Sequence, residues 1–351
     1  SVPWPRASEP GDGPCCAPHL RDPGERGHGR VNVVVDELLR NLEGAGWQAD
    51  VQILSRRDPR SCWKAAKASD VVLATNIFSP AYAAWALGAL LRKPVVAWVH
   101  GPLEEVLAAS RTSAAKRLWL RWLYRRIPTF VFISRHARAS FEAFLGQRLP
   151  DTRAHVIPNA VADLPPPHTS PPSHGDMVDL GYVGRLSPEK QPERLIDMLR
   201  LLPANHRLTL VGNGPLRMRL QELSTDLVQA GRLVFKGEMP RSQAFSPTWR
   251  LTVLASRYEG SCPLSALESA AMGIPFVSPP LPALRETASG AAACLLAPSD
   301  APRALADTVQ TVLALPDAQL QAALAQVRAQ HRPDRFAHSW RQVLGQVGRP
   351  C

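Results

Sequence analysis

The stretch Val178-Asp-Leu-Gly-Tyr-Val-Gly184-Arg185-Leu-Ser-Pro-Glu-Lys190 changes character in its middle. Residues 178–183 are a short apolar run of strand length, and Gly184 permits a tight turn. From Lys190 to about Leu202 the spacing predicts a helix. At such a junction the free N–H groups and the positive end of the helix dipole favour a phosphate. Arg185 can offer a planar fork to two phosphate oxygens, and Lys190 a compact charge.

The same alternation recurs along the chain. Upstream, a helix over Val31–Glu43 precedes expected strands at Val51–Leu54, Val71–Ala74, Val95–Val99, Phe130–Ile133 and His155–Ile157. Downstream, strands are expected at Val178–Val183, Leu208–Val211, Leu233–Phe235, Leu251–Ala255, Phe276–Ser278 and Ala292–Leu296. Strand–helix alternation implies parallel, right-handed α/β sheets. Between the two halves lies a proline-rich linker, 164–175. The expected organisation is therefore an irregular leader over 1–29, a first domain over 30–163, the linker, and a second domain over 176–351. The last helix of the second domain is a candidate to cross back to the first. Residues 1–26 show no convincing strand pattern, so the first sheet is expected to be incomplete at its N-terminal end.

A second informative stretch is Glu259-Gly-Ser-Cys-Pro-Leu-Ser-Ala-Leu-Glu268-Ser-Ala-Ala-Met-Gly-Ile-Pro275. It places Glu259 at the end of an expected strand and Glu268 on a helix of small residues expected over Ser265–Gly273. Glu268 can accept two hydrogen bonds from a vicinal diol such as a ribose. Between the two stretches, Val211-Gly212-Asn213-Gly214-Pro215 reads as a further strand–turn–helix, with Pro215 suited to the first helical position. The glycines there let a ligand approach the backbone.

In order and spacing these segments resemble the nucleotide-sugar site of the retaining family 4 glycosyltransferases (glycosyltransferase group 1). That resemblance implies a GT-B fold, in which two Rossmann-like domains face each other across a cleft. It implies that Arg185 and Lys190 stabilise a departing nucleotide diphosphate without a metal or any other cofactor. It also implies that Glu259 meets the donor-sugar hydroxyls and Glu268 the ribose. Gly184, Gly212, Gly214, Gly260, Ser261 and Leu264 would line the donor. His100, in Trp98-Val-His-Gly101, matches a histidine near the reacting centre, although a lone histidine can equally plug a loop. Ile157-Pro-Asn-Ala-Val161 matches the family's exit from the first domain. Two departures stand out: Gln191 replaces the usual glycine, and eight residues rather than seven separate the glutamates.

The implied function is transfer of a sugar to a lipid-linked or saccharide acceptor in glycan biosynthesis. The extra residue leaves open a catalytically impaired sugar-nucleotide-binding remnant or a membrane-bound module. A nucleotide-sugar epimerase on the same fold would need an acid/base set that the sequence does not display.

Composition agrees with this class. A chain of 351 residues suffices for two α/β domains, and 45% apolar content fits a globular protein. Six cysteines at 15, 16, 62, 262, 294 and 351 form no paired spacing, which points to a reducing, cytoplasmic setting and no zinc site. No Asp-x-Asp occurs. The net charge is +11, and Val106–Phe141 carries eight basic residues and no acidic one. Such a balance suits anionic lipid or phosphorylated substrates, and no nucleic-acid signature accompanies it. Within that run, residues 114–126 predict a basic amphipathic helix. Trp119 and Trp122 share a face with Leu118 and Leu123, while Arg121 and Arg125 lie opposite or beside them. That pattern fits peripheral contact with the inner face of a membrane, or packing onto the sheet.

Overall fold

The computed structural model describes residues 30–43, 59–161, 177–261 and 263–348. The chain divides into two compact units. One holds the described residues up to Ala160 together with the C-terminal segment from Pro333; the other is Val161–Arg332. The leader 1–29, the linker 164–175 and the expected strand Val51–Leu54 lie outside the described residues.

In the first unit, helices α1 (Arg30–Glu43) and α2 (Pro59–Ala68) lead to β1 (Val72–Ala74), α3 (Ser79–Leu91) and β2 (Val95–Val99). Then follow α4 (Leu103–Ala109), α5 (Ala114–Tyr124), β3 (Thr129–Phe132), α6 (Arg135–Leu145) and β4 (Ala154–Val156). The described strands form one parallel sheet in the order β1-β2-β3-β4. β1, β2 and β3 are buried along their whole length, as expected of parallel strands covered on both faces.

The second unit begins with β5 (Val178–Val183), α7 (Glu193–Leu201), β6 (His206–Val211), α8 (Arg217–Leu223), α9 (Thr225–Gln229) and β7 (Leu233–Gly237). It continues through β8 (Leu251–Val253), α10 (Leu264–Ala271), β9 (Phe276–Val277), α11 (Pro282–Thr287), α12 (Pro302–Leu313) and α13 (Asp317–Gln330). Its parallel sheet has the order β7-β6-β5-β8-β9, so the direction of winding reverses between β5 and β8. Open α/β sheets bind ligands at the carboxyl ends of the strands flanking such a reversal.

After α13 the chain returns to the first unit as α14 (Pro333–Val347). Aromatic packing anchors this helix: Trp340 is fully buried and meets Trp98 of β2 edge-on, with ring centroids 4.7 Å apart. Phe336 stands 6.1 Å from the same ring.

Several boundaries differ from the sequence reading. Helix α7 starts at Glu193, not Lys190. Lys190 closes a turn onto the Ser187 carbonyl, and Gln191 takes a left-handed φ of 45° that a helix cannot continue. Pro215 lies in the turn before α8 rather than at its first position. Helix α10 starts at Leu264 and stops at Ala271, ahead of Gly273. The apolar run Ala292–Leu296 is not a strand: 290–295 is a 3₁₀ turn, joined to the sheet by the single bridge Ser278–Leu296. Gln326 of α13 takes the Ala291 N–H at 3.1 Å, so a side chain rather than a neighbouring strand occupies that donor.

Trp340→Ala should cost about 3–5 kcal/mol, the usual range for truncating a buried aromatic. Urea denaturation followed by tryptophan fluorescence measures it, and a loss below about 1 kcal/mol would contradict an anchoring role.

Candidate functional site

The site is assembled on the backbone of two turns. Past β5, the Gly184 N–H donates to the Val211 carbonyl at 3.0 Å, and the Leu186 N–H to Asn213 at 2.9 Å. The turn after β6 thus lies directly on the turn after β5. Gly212 has φ 136°, and a Cβ there would fall 1.9 Å from the Gly184 oxygen. A Cβ on Gly214 would fall 2.2 Å from the Leu186 oxygen. The missing side chains at these two glycines let the turns lie against each other.

The charged residues of the site form two cation–carboxylate pairs. Lys190 Nζ donates to Glu259 Oε1, and Ser256 Oγ donates to the same oxygen at 2.6 Å. The lysine and glutamate side chains are 13% and 11% exposed, so Lys190 is largely enclosed rather than a rim charge. The second pair joins Glu268 Oε1 to Arg241 Nε at 2.6 Å, in an orientation that does not make a hydrogen bond. Glu268 is buried because α10 is buried on all sides; Thr252 of β8 donates to Ser269, and Ser269 to the Ile274 carbonyl. Arg185 differs from the other cations. It is exposed, and its guanidinium has no hydrogen bond or ion pair among the described residues.

Gly260 and Ser261 follow Glu259 directly, and Leu264 opens α10. In its first turn the Ala266 and Leu267 N–H groups donate to the Pro263 carbonyl, which leaves those of Leu264 and Ser265 without a backbone partner among the described residues. Sequence reasoning missed two residues here. Arg241 sits in a 3₁₀ turn (Arg241–Gln243) after β7, where no spacing marks it as the partner of Glu268. Ser265 carries an enclosed hydroxyl with no hydrogen-bond partner among the described residues. No group of three or more His, Cys, Asp or Glu suited to a metal occurs among the described residues.

His100 belongs to the first unit, at the carboxyl end of β2. Its ring stacks on Trp98 with centroids 4.5 Å apart and planes tilted by 38°. The residue keeps some exposed surface, yet its Nε2 is enclosed and unpartnered among the described residues. Burial lowers its pKa to about 3, and a backbone hydrogen bond with Thr75 opposes that shift only in part. The imidazole is therefore neutral at physiological pH and cannot offer a positive charge to a phosphate.

Helix α5 divides its faces differently from the sequence reading. Leu120, Leu123 and Tyr124 are buried, while Leu118, Trp119 and Trp122 stay exposed. Trp119 and Trp122 meet Tyr82 and Trp85 of α3 edge-on, at 4.6 and 5.4 Å. Arg121 and Arg125 do not form a free basic face. They donate to the Phe144 and Leu145 carbonyls at the C-terminal end of α6, at 2.6 and 3.2 Å. Cations there complement the negative end of a helix.

Comparison with known proteins agrees with this geometry. A family described as "Glycosyl transferases group 1" matches residues 178–314, and one described as "Glycosyltransferase Family 4" matches 51–163. A GDP-mannose-dependent alpha-(1-6)-phosphatidylinositol dimannoside mannosyltransferase of Mycobacterium tuberculosis is 34% identical over 149 residues. That match covers 39% of this chain and 36% of the relative, so it reaches about a third of the relative's length. Among solved structures, Anabaena Alr3699/HepE in complex with UDP and glucose aligns with a TM-score of 0.75 at 16% identity, over 94% of this chain and 100% of that one. Sucrose-phosphate synthase of Thermosynechococcus elongatus aligns with a TM-score of 0.73 at 18% identity, over 93% and 95%. These likenesses establish the fold.

The pKa of His100 gives a testable sign. Its folded value of about 3 lies below the ordinary value of 6.5, so the unfolded chain binds the extra proton. His100 therefore removes stability as pH falls from 6.5 towards 3, by at most about 1.4 kcal/mol per pH unit. Urea titrations at pH 7.0, 5.5 and 4.5 should show a shallower loss for His100→Gln than for the wild type. Parallel slopes would show that the ring titrates normally.

Proposed function

The chain belongs to the family 4 glycosyltransferases of group 1, and we propose that it is a retaining, metal-independent enzyme acting on a nucleoside diphosphate sugar. The acceptor in this reading is a hydroxyl of a lipid-linked or growing saccharide. One observation carries it: Arg185 and Lys190 follow β5, Glu259 and Glu268 follow β8, the strand order reverses between those two strands, and Lys190 meets Glu259 across that junction.

Each residue then has a task. Arg185 approaches the diphosphate first, since its guanidinium is exposed and uncommitted among the described residues. Lys190 takes the charge that grows on the departing phosphate as the bond from the anomeric carbon to the phosphate oxygen breaks. Glu259, which pairs with Lys190, accepts hydrogen bonds from donor-sugar hydroxyls, and Glu268 accepts them from the ribose. The acceptor oxygen attacks on the face that the diphosphate leaves, and its proton passes to the leaving phosphate oxygen. Retention then needs no carboxylate nucleophile, unlike the paired-carboxylate glycosidases. Two cations and the N–H groups at the start of α10 serve the phosphates in this reading, so a divalent metal is not required.

A second reading rests on the eight residues between Glu259 and Glu268. If that longer loop blunts catalysis, the chain binds a sugar nucleotide without turning it over, as a remnant or membrane-bound module. Donor hydrolysis separates the two, because only the enzyme releases free sugar.

The membrane is the proposed working surface, on its cytoplasmic side. None of the described helices is long and apolar enough to cross it. Leu118 at 69% exposure, Trp119, Trp122 and Leu90 of α3 at 70% support interfacial contact, with Lys116 and Arg126 beside them. Arg121 and Arg125 contribute charge from their places at the end of α6.

Arg185→Ala or Lys190→Ala should lower transfer from a nucleotide-sugar panel by about 10²–10³-fold, the size of losing one preorganised donor. The melting temperature should hold for Arg185→Ala and fall for Lys190→Ala, which strands an enclosed carboxylate. Wild-type rates in both variants, or a rate abolished by chelator and restored by manganese, would reject the assignment.

Trp119→Ala with Trp122→Ala should reduce pelleting with anionic vesicles, while the melting temperature falls only slightly because both rings are partly exposed. Unchanged pelleting with a large drop in melting temperature would make the rings structural and remove the membrane from the reading.

A further inference from the structure

A second basic pocket lies in the Val161–Arg332 unit, beside the loop that carries Lys190. Its volume is about 380 Å³, within the usual range for small-ligand sites, and Pro188, Gln191, Glu193, Arg194, Arg219 and Arg257 line it. Neither Lys190, Glu259 nor Arg185 belongs to its walls. Three guanidiniums reach it from three separate places: the first turn of α7, the first turn of α8, and the loop after β8. Arg194 is paired with Asp300 at 2.7 Å. Arg219 and Arg257 are exposed and have no side-chain hydrogen bond or ion pair among the described residues. With one carboxylate against three arginines, the lining is cationic.

Two groups in the same wall ask for something other than charge. Gln191 holds a left-handed φ of 45°, costly for a residue with a side chain, and its Oε1 is enclosed without a hydrogen-bond donor among the described residues. Glu193 offers a second acceptor. A bare phosphate has few protons to give to either. A ligand bearing both a phosphoryl group and hydroxyls satisfies all of them.

We propose that this pocket binds a compact phosphorylated sugar or polyol, separately from the nucleotide diphosphate. Arg219 and Arg257 grip the phosphoryl dianion, in the forked geometry that guanidinium favours. Gln191 and Glu193 accept hydrogen bonds from the hydroxyls. The site is coupled by sequence to the donor residues: Gln191 follows Lys190, and Arg257 lies two residues before Glu259. The Arg257 N–H also donates to the Glu189 carbonyl at 2.9 Å, which ties the two loops together. The proposal rests on the cavity and its lining, and not on the donor reading.

Isothermal titration calorimetry of the full chain, with UDP present in excess, tests it with glucose 6-phosphate and inorganic phosphate as probes. One site for glucose 6-phosphate is expected, tighter than for phosphate. Arg219→Gln with Arg257→Gln should weaken it by about tenfold or more, the effect of losing charge-assisted bonds, and leave UDP affinity within about twofold. Gln191→Gly relieves the left-handed φ, so it should melt no lower than wild type. It should weaken glucose 6-phosphate while leaving phosphate unchanged, and that keeps the test sound if the double variant folds poorly. The same titrations in a Lys190→Ala background, without UDP, separate this pocket from the donor site. If UDP never binds but the arginine dependence persists, the donor reading fails and the pocket stands. Absence of binding, binding undiminished in the arginine variant, or displacement of the sugar phosphate by UDP would overturn the proposal. Equal affinity for the two probes would overturn its sugar component.

Discussion

Everything at the candidate site depends on β8 lying beside β5. The chain lays down β5, β6 and β7 in one direction and then returns to place β8 on the other flank of β5. The contact is short, with Leu180 opposite Leu251 and Gly181 opposite Thr252. Trp249, just before β8, covers Gly181 so closely that a Cβ there would fall 2.1 Å from the indole. That indole also packs with Val211, Phe245 and Ile274. A methyl group at 181 would therefore push on the core of the unit and on the entry to β8 together. This packing brings Lys190 and Glu259 into contact although 69 positions separate them.

The enclosure produced by that packing explains why the cations are paired. A desolvated ammonium or carboxylate without a partner costs several kcal/mol, of order 3–5 when one member of a buried pair is removed. Lys190 with Glu259, and Arg241 with Glu268, meet that cost within the unit. Ser256 is a second donor to the Glu259 carboxylate. A diphosphate that displaces a carboxylate from its cation exchanges one anion for another, so little new desolvation is needed. In the proposed reading the carboxylate released by the exchange is the acceptor for sugar hydroxyls, and Ser256 keeps hold of it. Arg185, exposed and uncommitted among the described residues, suits the first contact for the opposite reason.

The sheets were legible because their signal is one-dimensional. Val95–Val99 and Val178–Val183 are apolar runs bounded by turn residues, and they are strands β2 and β5 with the expected limits. Ala292–Leu296 shows the weakness of the same signal, since a short apolar run carries no period that separates a strand from a 3₁₀ turn. The start of α7 was misplaced because the helical spacing was read through Gln191, although Pro192 after it disfavours helical backbone there, and its φ is left-handed. Arg185, Lys190, Glu259 and Glu268 could be picked out from motif order, but their pairing could not. Arg241 joins Glu268 across the strand order β7-β6-β5-β8, and strand order is not written in local spacing. Charge alone misleads in the same way on α5, where Arg121 and Arg125 read as a solvated face until α6 is seen to end against them.

That last case bears on what the basic excess of the chain is for. Between Val106 and Phe141, several cations already have work inside the fold. Arg117 meets Glu104, Arg138 holds Glu142 and Asp151, and Arg121 with Arg125 closes the end of α6. A cation bound to carbonyls or carboxylates at close range attracts a distant anion only with the field that its partner leaves. Arg121 and Arg125 face carbonyl dipoles and so keep most of their long-range charge, whereas Arg117 and Arg138 face carboxylates and lose it. The surplus that can act on other molecules is thus smaller than the sequence count and unevenly placed. Part of it lies along α5 beside exposed tryptophans. Another part lies at Arg185, Arg219 and Arg257, around the carboxyl ends of β5, β6 and β8.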